Sequence, residues 1–240
     1  MNIFKDITLI YVAHKSDSII KKNIDIIKLF NVIIVDNSNS SDLKNYLSEF
    51  HNITFINSPN LGFGHANNLA VNNAKTPYIF IVSPDIFFTI SSLEILYNEF
   101  LSYKNAGVAG PSLFDVSNIR RSNSSLSFLK KKIYRNSFQR KIYKNIDQTL
   151  ADGNISCDYI IGCSMLFKKS FFLDIGGFDE HFFIYYEDND ICDRIRSCNK
   201  MVLEIPSSKM IHLQGKSTKA DFKINALLSI MHKISEYKYL

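Results

Sequence analysis

The sequence predicts an α/β fold, in which a mostly parallel central sheet carries helices on both faces. Short runs rich in β-branched and aromatic residues alternate with segments of helical periodicity through the first half of the chain. The links between them are short and rich in Asp, Asn, Ser and Gly, which favour turns and helix caps. Such alternation is typical of βαβ units, whose parallel strands are covered by the connecting helices.

Four strands and three helices are predicted in this first half. The strands are the apolar runs 7–12, 32–35, 53–56 and 78–82. The helices are a segment capped at 16–18 with Ile20, Ile24 and Ile27 on its apolar face, a segment from 40 to about 50, and a segment from about 65 to 74. Because the strands are nearly continuous apolar runs, we expect them to be buried.

The second half is less regular. The predicted elements are a helix over 91–103, a strand ending at 108–111, a strand with a glycine-marked bend over 159–167, a short helix over 168–175 and a strand over 201–205. In the tail, apolar residues recur at helical spacing: Leu227, Ile230, Met231, Ile234 and Tyr237. We expect this tail helix to pack on the core. The alternative is a helix that lies on a membrane surface.

The length of 240 residues and the ordinary composition suit one large globular domain with a sizeable core. No apolar run reaches the roughly 20 residues that span a bilayer, and the first residues lack the pattern of a signal peptide. The expected location is therefore the cytoplasm. The four cysteines include no C-x-x-C pair and are predicted to be thiols that fill space.

Positive charge is concentrated in one segment. Between Asp115 and Asp147 there are nine basic residues and no acidic one, so the remaining 19 basic and 23 acidic residues leave the rest of the chain at −4. The nine are Arg120, Arg121, Lys130, Lys131, Lys132, Arg135, Arg140, Lys141 and Lys144. Aromatic and aliphatic residues are interleaved with them, a mixture that suits an anionic membrane surface. A phosphate-bearing substrate, a nucleic acid and a merely flexible loop are the alternatives.

Polar residues follow three of the predicted strands. Asp36 and Asn37 follow the second, the loop 60–64 follows the third, and Asp85 follows the fourth. Ligands of open α/β sheets bind beyond the carboxyl ends of the strands, so these residues are candidates for a binding site. The two glycines of the loop 60–64 let the backbone approach a ligand, and the next helix begins there with an end that favours phosphate. Neither a dinucleotide fingerprint nor a P-loop occurs.

Five acidic side chains lie within twelve positions, between Asp179 and Asp190, with aromatic residues among them. Aromatic packing lowers the local dielectric, which makes carboxylates reactive or metal-binding. Glu187, Asp188 and Asp190 are expected in the first turn of a helix, where the dipole favours negative charge. The simpler interpretation is an acidic helix start after a Gly-Gly turn.

Taken together, these stretches resemble glycosyltransferase family 2, and within it the rhamnosyltransferase-like enzymes of bacterial surface polysaccharide (O-antigen, lipopolysaccharide) biosynthesis. The stretches that carry the resemblance are Val35–Asn37, Asn60–Asn68, Ser83–Asp85, Gly162–Ser164, Gly177–Glu180 and Tyr186–Asp190. The resemblance implies a single GT-A domain over 1–240, with a nucleotide-sugar-binding half at 1–112, a basic insert at 113–150 and an acceptor and catalytic half at 151–240. It implies inverting transfer of a sugar to a glycan or to a polyprenyl-diphosphate-linked acceptor. The favoured donor is dTDP-L-rhamnose, with a UDP-hexose as the alternative.

The resemblance also implies roles for individual residues. Those expected to bind the donor are Val12, Ala13, Asp36, Asn37, Asn60, Gly62, Asn67, Ser83 and Asp85. Asp85 and His212 are expected to hold a divalent cation, Mg²⁺ or Mn²⁺. Asp188 is expected to be the catalytic base, and Glu187 is expected to orient it or to contact the acceptor sugar. Those expected to contact the acceptor are Gly162, Cys163, Asp179, Glu180 and Asp190, although an i,i+4 salt bridge with Arg194 is the favoured interpretation of Asp190.

Two departures from the family pattern occur. Ser83 stands where the first acid of a D-x-D motif is usual, and Val12-Ala13-His14 stands where Thr-Tyr-Asn is usual.

Two other classes of function compete with this one. A sugar nucleotidyltransferase usually carries a Gly-rich basic loop near its N-terminus, but residues 11–18 hold only Lys15 and no glycine. A non-catalytic module that binds lipid or nucleic acid through the basic insert leaves Asp85 and the acidic stretch 177–190 unexplained. We therefore expect no nucleic-acid partner, and we expect peripheral contact with an anionic membrane at its cytoplasmic face.

Overall fold

The structure, a computed structural model, describes residues 2–121, 124–125, 153–213 and 222–239. In chain order, its strands are β1 (Ile7–Ala13), β2 (Asn31–Asp36), β3 (Ile53–Asn57), β4 (Tyr78–Val82), β5 (Ile86–Phe87), β6 (Ala106–Phe114), β7 (Arg120–Arg121), β8 (Ser124–Ser125), β9 (Ile155–Cys157), β10 (Tyr159–Ile160), β11 (Ser164–Lys168) and β12 (Met201–His212). The helices are α1 (Ile3–Asp6), α2 (Asp17–Lys22), α3 (Ile24–Ile27), α4 (Ser41–Leu47), α5 (Phe63–Asn73), α6 (Ile90–Ser102), α7 (Lys169–Asp174), α8 (Glu187–Ser197) and α9 (Phe222–Tyr239).

One half of the main sheet is parallel, as predicted. Strands β3, β2, β1 and β4 lie side by side in that order, and each neighbouring pair is parallel. Helices cover both faces of these strands, so most residues of the central strands β1, β2 and β4 are buried and their runs are continuously apolar. The parallel connections bring the carboxyl ends of all four strands to one edge.

The other half of the sheet is mixed. Strand β11 lies antiparallel between β4 and β6, β12 is parallel to β6, and the short β5 is antiparallel to β12. Strand β12 is longer than the predicted 201–205. It shifts register between Ile205 and Lys209, around Pro206, and then continues to His212 beside Ile86. This extension brings His212 to the same edge as the ends of the parallel strands.

Two apolar clusters fill the space between the sheet and the helices. The cluster on one face includes Leu9, Ile34 and Leu93, and the cluster on the other face includes Ile10 and Ala66. The helix predicted after position 16 is interrupted at Asn23, which separates α2 from α3. Its side-chain amide donates to the Pro84 carbonyl (3.2 Å), so the interruption supports the loop that follows β4.

The prediction for the tail is wrong in one respect. The helix α9 forms, but its apolar stripe does not pack on the core: Leu227, Ile230, Ile234 and Tyr237 are all at least half exposed. The helix docks instead through polar and aromatic side chains at 232–239. Helical periodicity located the stripe correctly, but periodicity alone cannot say which of two faces finds a partner.

Most of the predicted basic insert, including Lys130–Lys132 and Arg140, lies outside the described residues. The first two residues of the predicted tail, Ala220 and Asp221, also lie outside them. Among the helices of the described ranges, none combines the length and the apolar character that crossing a bilayer would require.

Candidate active site

The turn after β4 brings two predicted metal ligands together. Asp85 is 5% exposed, and its Oδ2 lies 3.5 Å from Nε2 of His212 at the end of β12. The backbone holds the pair in place, because the Leu213 N–H donates to the Asp85 carbonyl (3.0 Å). The Ser83 N–H donates to the Cys163 carbonyl (2.9 Å), which joins this turn to the bend before β11.

Asp188 lies in the first turn of α8, and the backbone orients its carboxylate. The Gly162 N–H donates to Oδ2 and the Asn189 N–H donates to Oδ1, each at 2.9 Å. Removal from water raises the pKa of Asp188, while these two donors oppose the increase by stabilising the ionised form. A Cβ atom on Gly162 would approach the Asp188 Cβ to 3.3 Å, so a larger residue would push Asp188 by a few tenths of an ångström.

Glu187 is buried beside Asp188. Burial, reinforced by the neighbouring Asp188 charge, raises the pKa of Glu187 to about 8. Within the described ranges, no group hydrogen-bonds to its Oε2. Glu187 therefore holds a proton more readily than an ordinary glutamate, and the pair carries less than two full negative charges near neutral pH.

The two residues before this pair have an unusual backbone conformation. Tyr185 and Tyr186 have φ angles of 69° and 71°, in the left-handed region that bulky residues rarely enter. Tyr186 is also the residue that precedes the first turn of α8. The left-handed turn therefore sets the direction in which Glu187 and Asp188 leave the loop.

A cavity of about 480 Å³ opens beside Asp188. Its lining residues are Phe63, Ser83, Tyr159, Ile161, Gly162, Cys163, Ile184, Tyr185, Tyr186, Glu187, Asp188, Asn189 and His232. The cavity thus joins the end of β4, through Ser83, to the carboxylates of α8. Its walls carry several aromatic rings, whose apolar faces suit the C–H faces of a sugar ring.

The glycine-containing loop before α5 packs against the acidic stretch. The Phe63 N–H donates to the Phe183 carbonyl at 2.8 Å. Gly62 has φ +116°, and a Cβ atom there would lie 2.6 Å from the Phe183 oxygen. This close approach is the reason for a glycine at the position. Of the other predicted donor residues here, Asn67 donates to the Phe63 carbonyl (2.9 Å) and so supports the same loop.

The remaining predicted donor residues lie at the ends of β1, β2 and β3. Asn37 and Asn60 are brought together, with the Asn37 amide 3.4 Å from the Asn60 side-chain oxygen. Asp36 is 0% exposed, and its carboxylate accepts from Ser38 and from the Ser40 N–H. Its contact with the donor stays a prediction. At the end of β1, Val12 is half-buried and Ala13 is buried, so their side chains offer little polar contact.

Three of the five residues predicted to contact the acceptor do not line the cavity. Glu180 is bonded to His65 and Asn68 of α5 instead. Asp179 accepts from the backbone and ring of His181, and Asp190 pairs with Arg194 one turn along α8. Their carboxylates are used in shaping the loop and the helix. Gly162 and Cys163 do line the cavity, and burial raises the pKa of the Cys163 thiol to about 12, so it stays protonated.

Sequence reasoning missed the aromatic walls of the cavity. Phe63 and Tyr186 lie within stretches that carry the family resemblance but were given no role there, and His232 lies far away in the tail. A signal for His232 was present, because His232, Ser235 and Tyr239 have the spacing of one helix face. The apolar stripe on the same helix drew the prediction to the wrong face.

Asp85 and His212 fit a divalent cation only in part. They offer one carboxylate oxygen and one imidazole nitrogen, a combination that suits Mn²⁺ and is acceptable to Mg²⁺. No group of three potential side-chain ligands occurs in the part of the chain that the structure describes. A cation here would therefore need oxygen atoms from a bound ligand, such as a diphosphate, to complete its coordination.

A comparison of the sequence with protein families is consistent with this site, which combines strand-end residues, paired carboxylates and a sugar-sized cavity. The family described as "Glycosyl transferase family 2" matches residues 10–173. The chain belongs to this family. A second description, "N-terminal domain of galactosyltransferase", matches residues 145–216, which include Gly162, Asp188 and His212. This family 2 glycosyltransferase is thus matched across both halves of its site.

Relatives with assigned activities include two rhamnosyltransferases. Rhamnosyltransferase WbbL of Escherichia coli (strain K12) is 26% identical over 227 aligned residues, and the match covers 89% of this chain and 86% of the relative. The N-acetylglucosaminyl-diphospho-decaprenol L-rhamnosyltransferase of Mycobacterium tuberculosis (strain CDC 1551 / Oshkosh) is 24% identical over 180 residues. That match covers 68% of this chain and 59% of the mycobacterial protein.

Solved structures confirm the GT-A fold. The mannosyltransferase PcManGT from Pyrobaculum calidifontis, in complex with GDP-Man and Mn²⁺, has a TM-score of 0.61 at 15% identity. GalNAc-T7 with UDP, GalNAc and Mn²⁺ has a TM-score of 0.64 at 14% identity. The matches cover 97% and 90% of this chain but only 64% and 45% of those two chains. The glycosyltransferase therefore spans less than two thirds of either solved chain.

Proposed function

We propose that this family 2 enzyme is an inverting glycosyltransferase, with Asp188 as the base that takes the proton of the acceptor hydroxyl. The observation that carries the proposal is the placement of the Asp188 carboxylate in the cavity wall, where two backbone N–H groups at 2.9 Å orient it. A general base must be held within hydrogen-bond reach of the hydroxyl that it deprotonates. The cavity offers that hydroxyl a place beside Asp188.

The proposed step forms one bond and breaks another at the anomeric carbon. The acceptor oxygen attacks from the face opposite the leaving group, its proton passes to Asp188, and the bond from the sugar to the nucleoside diphosphate breaks. Attack from the opposite face inverts the anomeric configuration. Glu187 assists by staying protonated near neutral pH, because its pKa is raised to about 8, so the ionised form of Asp188 meets less repulsion.

The donor side is proposed to lie between the strand ends and the turn after β4. Asn37, Asn60, Gly62 and Ser83 form its surface, and Asp36 supports that surface from below through Ser38 and Ser40. Asp85 and His212 are the residues that would hold a divalent cation, Mg²⁺ or Mn²⁺. Such a cation, when bound together with the diphosphate, offsets the negative charge that grows on the leaving group.

We propose dTDP-L-rhamnose as the donor and a lipid-linked glycan diphosphate as the acceptor, in the synthesis of a cell-surface glycan. Support comes from the two rhamnosyltransferase relatives, one of which is named for a decaprenol-linked acceptor. A UDP-hexose is the alternative donor, since a curated relative from Haloferax volcanii, 25% identical, is a hexosyltransferase of glycan biosynthesis.

Incubation of the enzyme with labelled dTDP-L-rhamnose, UDP-glucose and UDP-galactose, with and without N-acetylglucosaminyl diphosphate on a short prenyl chain, tests the proposal. We expect transfer or slow hydrolysis with dTDP-L-rhamnose, and loss of both in Asp188→Asn. Turnover of a UDP-hexose alone would replace the donor but keep the reaction class. Synthesis of a sugar nucleotide from a nucleoside triphosphate, or no reaction with any donor, would contradict the class of reaction.

Peripheral membrane contact is proposed to use the outer face of α9. Its exposed residues Leu227, Ile230 and Ile234 form an apolar stripe. An exposed apolar stripe on a helix suits the interface of a bilayer. Basic residues of the segment 116–146 that lie outside the described ranges are the other candidate.

Co-sedimentation with anionic and neutral liposomes separates the two candidates. One variant carries Ile230→Ser and Ile234→Ser, and the other replaces Lys130, Lys131, Lys132, Arg140 and Lys141 with Gln. Binding through the apolar stripe should persist at high salt and fail in the first variant, whereas binding through basic residues should be screened by salt and fail in the second. Equal sedimentation of wild type and both variants would contradict both.

A further inference from the structure

The left-handed turn at Tyr185–Tyr186 needs support from outside the turn itself. Two consecutive non-glycine residues with φ near +70° are strained, and such conformations persist only where the surroundings enforce them. The next two residues are Glu187 and Asp188, so any relaxation of the turn would move the proposed base. Contacts from another part of the molecule must therefore hold the turn in this conformation.

The C-terminal helix contacts the turn on the side that faces the cavity. The ring of His232 lies between two tyrosines, with its centroid 5.3 Å from that of Tyr185 and 5.3 Å from that of Tyr186. Tyr239, two turns further along α9, places its ring 5.3 Å from Tyr186. Ring pairs at these distances contribute a favourable free energy beyond that expected from the surface area that they bury.

Hydrogen bonds from the same helix secure both ends of the acidic stretch. The buried Ser235 hydroxyl donates to the Ile184 carbonyl (2.8 Å), immediately before the turn. The Lys238 ammonium donates to the His181 carbonyl (2.7 Å), and the Tyr239 hydroxyl donates to Asp193 in α8. The helix thus spans the turn from its approach to its exit.

His232 differs from the other contacts because it also lines the cavity. In the described part of the chain, no hydrogen bond to its ring is present, and its side chain is exposed. Its ring therefore holds the tyrosines on one side and faces the space beside Asp188 on the other. His232 therefore contacts both the turn and the cavity.

We propose that His232 is a positioning residue for the acceptor side of the reaction: through its inclined ring contacts with Tyr185 and Tyr186, it keeps the left-handed turn, and hence Asp188, in the reactive arrangement. The proposal rests on the proposed function, because it takes Asp188 as the base. It gives the C-terminal helix a part in the active site that the family comparison does not assign, since the matched residues end at 216.

Three variants test the proposal. His232→Ala removes both ring contacts, His232→Phe keeps an aromatic ring at the same place, and Lys233→Ala is the matched control on the neighbouring exposed residue of α9. Loss of two ring contacts should raise the exchange rate of amides in 183–190 roughly tenfold, because local opening becomes easier. Exchange in His232→Phe and Lys233→Ala should stay within about threefold of wild type, a smaller change than the loss of one ring pair.

The same variants are assayed with dTDP-L-rhamnose and the prenyl-linked N-acetylglucosaminyl diphosphate. We expect kcat to fall roughly tenfold or more in His232→Ala with the Kd for dTDP unchanged, and to recover in His232→Phe. Unchanged exchange in His232→Ala, or a His232→Phe variant as impaired as His232→Ala, would overturn the proposal. Raised exchange in His232→Ala with a wild type that transfers no sugar would contradict the proposed function while leaving the role of His232 in the turn intact.

Discussion

The proposed donor and acceptor sides of the site are built in different ways. The donor side consists of residues that follow consecutive parallel strands, such as Asn37 after β2, Asn60 after β3 and Ser83 after β4. The acceptor side combines a bend at Gly162, a strained turn before Asp188 and a histidine from the last helix. The sheet alone aligns the first set, whereas tertiary contacts between distant segments must align the second.

The two sides meet at a few contacts where their backbones are closely packed. Phe63, at the start of α5, donates to Phe183 in the acidic stretch, and Gly62 makes the approach of these two backbones sterically feasible. Asn68 of α5 also donates to the Phe178 carbonyl and accepts from its N–H. A substitution on the donor side can therefore displace residues of the acceptor side through α5.

The largest effect is expected for Asp188→Asn, which changes the acceptor side alone. The amide keeps the shape of the side chain but cannot take the proton, so turnover should fall at least ~10²-fold. Binding of the nucleoside diphosphate should stay close to wild type, as isothermal titration with dTDP can show. A variant that keeps more than about a tenth of wild-type kcat would remove Asp188 from the role of base.

On the donor side, Asp85→Ala should weaken binding of dTDP and abolish any enhancement by Mn²⁺. The reason is that the pair with His212 loses its carboxylate, which is the harder and more strongly attracting ligand. Titration of dTDP with and without Mn²⁺, in wild type and variant, measures the effect. An equal enhancement by Mn²⁺ in both proteins would exclude Asp85 as a ligand.

The same contrast explains what could be predicted from the sequence. The strands β1 to β4 and the residues after them were found because a continuous apolar run and the polar residue that ends it are local features. Asp188 was singled out through its motif, and its role as the base stays a prediction. The approach of Asp85 to His212 was expected only from the family resemblance, because it depends on the extension of β12 beyond Pro206, which no local pattern shows.

Several residues predicted to bind a ligand have partners within the protein itself, and their roles toward ligands stay predictions. Glu180 and Asp190 carry carboxylates as Asp188 does, but His65, Asn68 and Arg194 lie within reach of them and not of Asp188. Asp36 is at the predicted strand end, yet two serines that follow it occupy its carboxylate. Composition cannot distinguish an acid that binds a ligand from one that binds its own loop.

Gly62→Ala tests the junction between the two sides. The variant suffers both the strain of a positive φ and a contact of 2.6 Å with the Phe183 oxygen, so we expect a loss of about 2–4 kcal/mol in the free energy of unfolding. Gly176→Ala is the matched control, because its φ is +88° but its Cβ would meet nothing within 4 Å. Strain alone should cost the control about 1–2 kcal/mol. Equal losses in urea titrations would show that the approach of Phe183 has no energetic consequence.

Glu187 gives the acceptor side a pH dependence of stability. Its pKa of about 8 in the folded protein lies above the ordinary value of 4.5, so the folded state binds this proton more tightly than the unfolded state. The stabilisation is complete below about pH 4.5 and is lost as the pH rises through about 8. Relative to Glu187→Gln, which stays neutral, wild type should therefore lose on the order of 1 kcal/mol or more between pH 5 and pH 8.5. Parallel stability curves for the two proteins would contradict the raised pKa.

The smallest effect is expected for Asp190→Asn, which makes the same chemical change as Asp188→Asn half a turn away on the same helix. Asp190 accepts from Arg194 Nε at 2.9 Å, and Arg194 also donates to the Ile175 carbonyl, so the arginine keeps a partner when the charge is lost. An i,i+4 pair of this kind contributes about 0.3–0.5 kcal/mol, which would shift the unfolding temperature by roughly one or two degrees. Because Asp190 does not line the cavity, the KM for the prenyl-linked N-acetylglucosaminyl diphosphate should change less than about twofold, a free-energy change below 0.5 kcal/mol. A tenfold increase in that KM with unchanged stability would return Asp190 to the acceptor site, and it would mean that the cavity extends along α8 once the acceptor is bound.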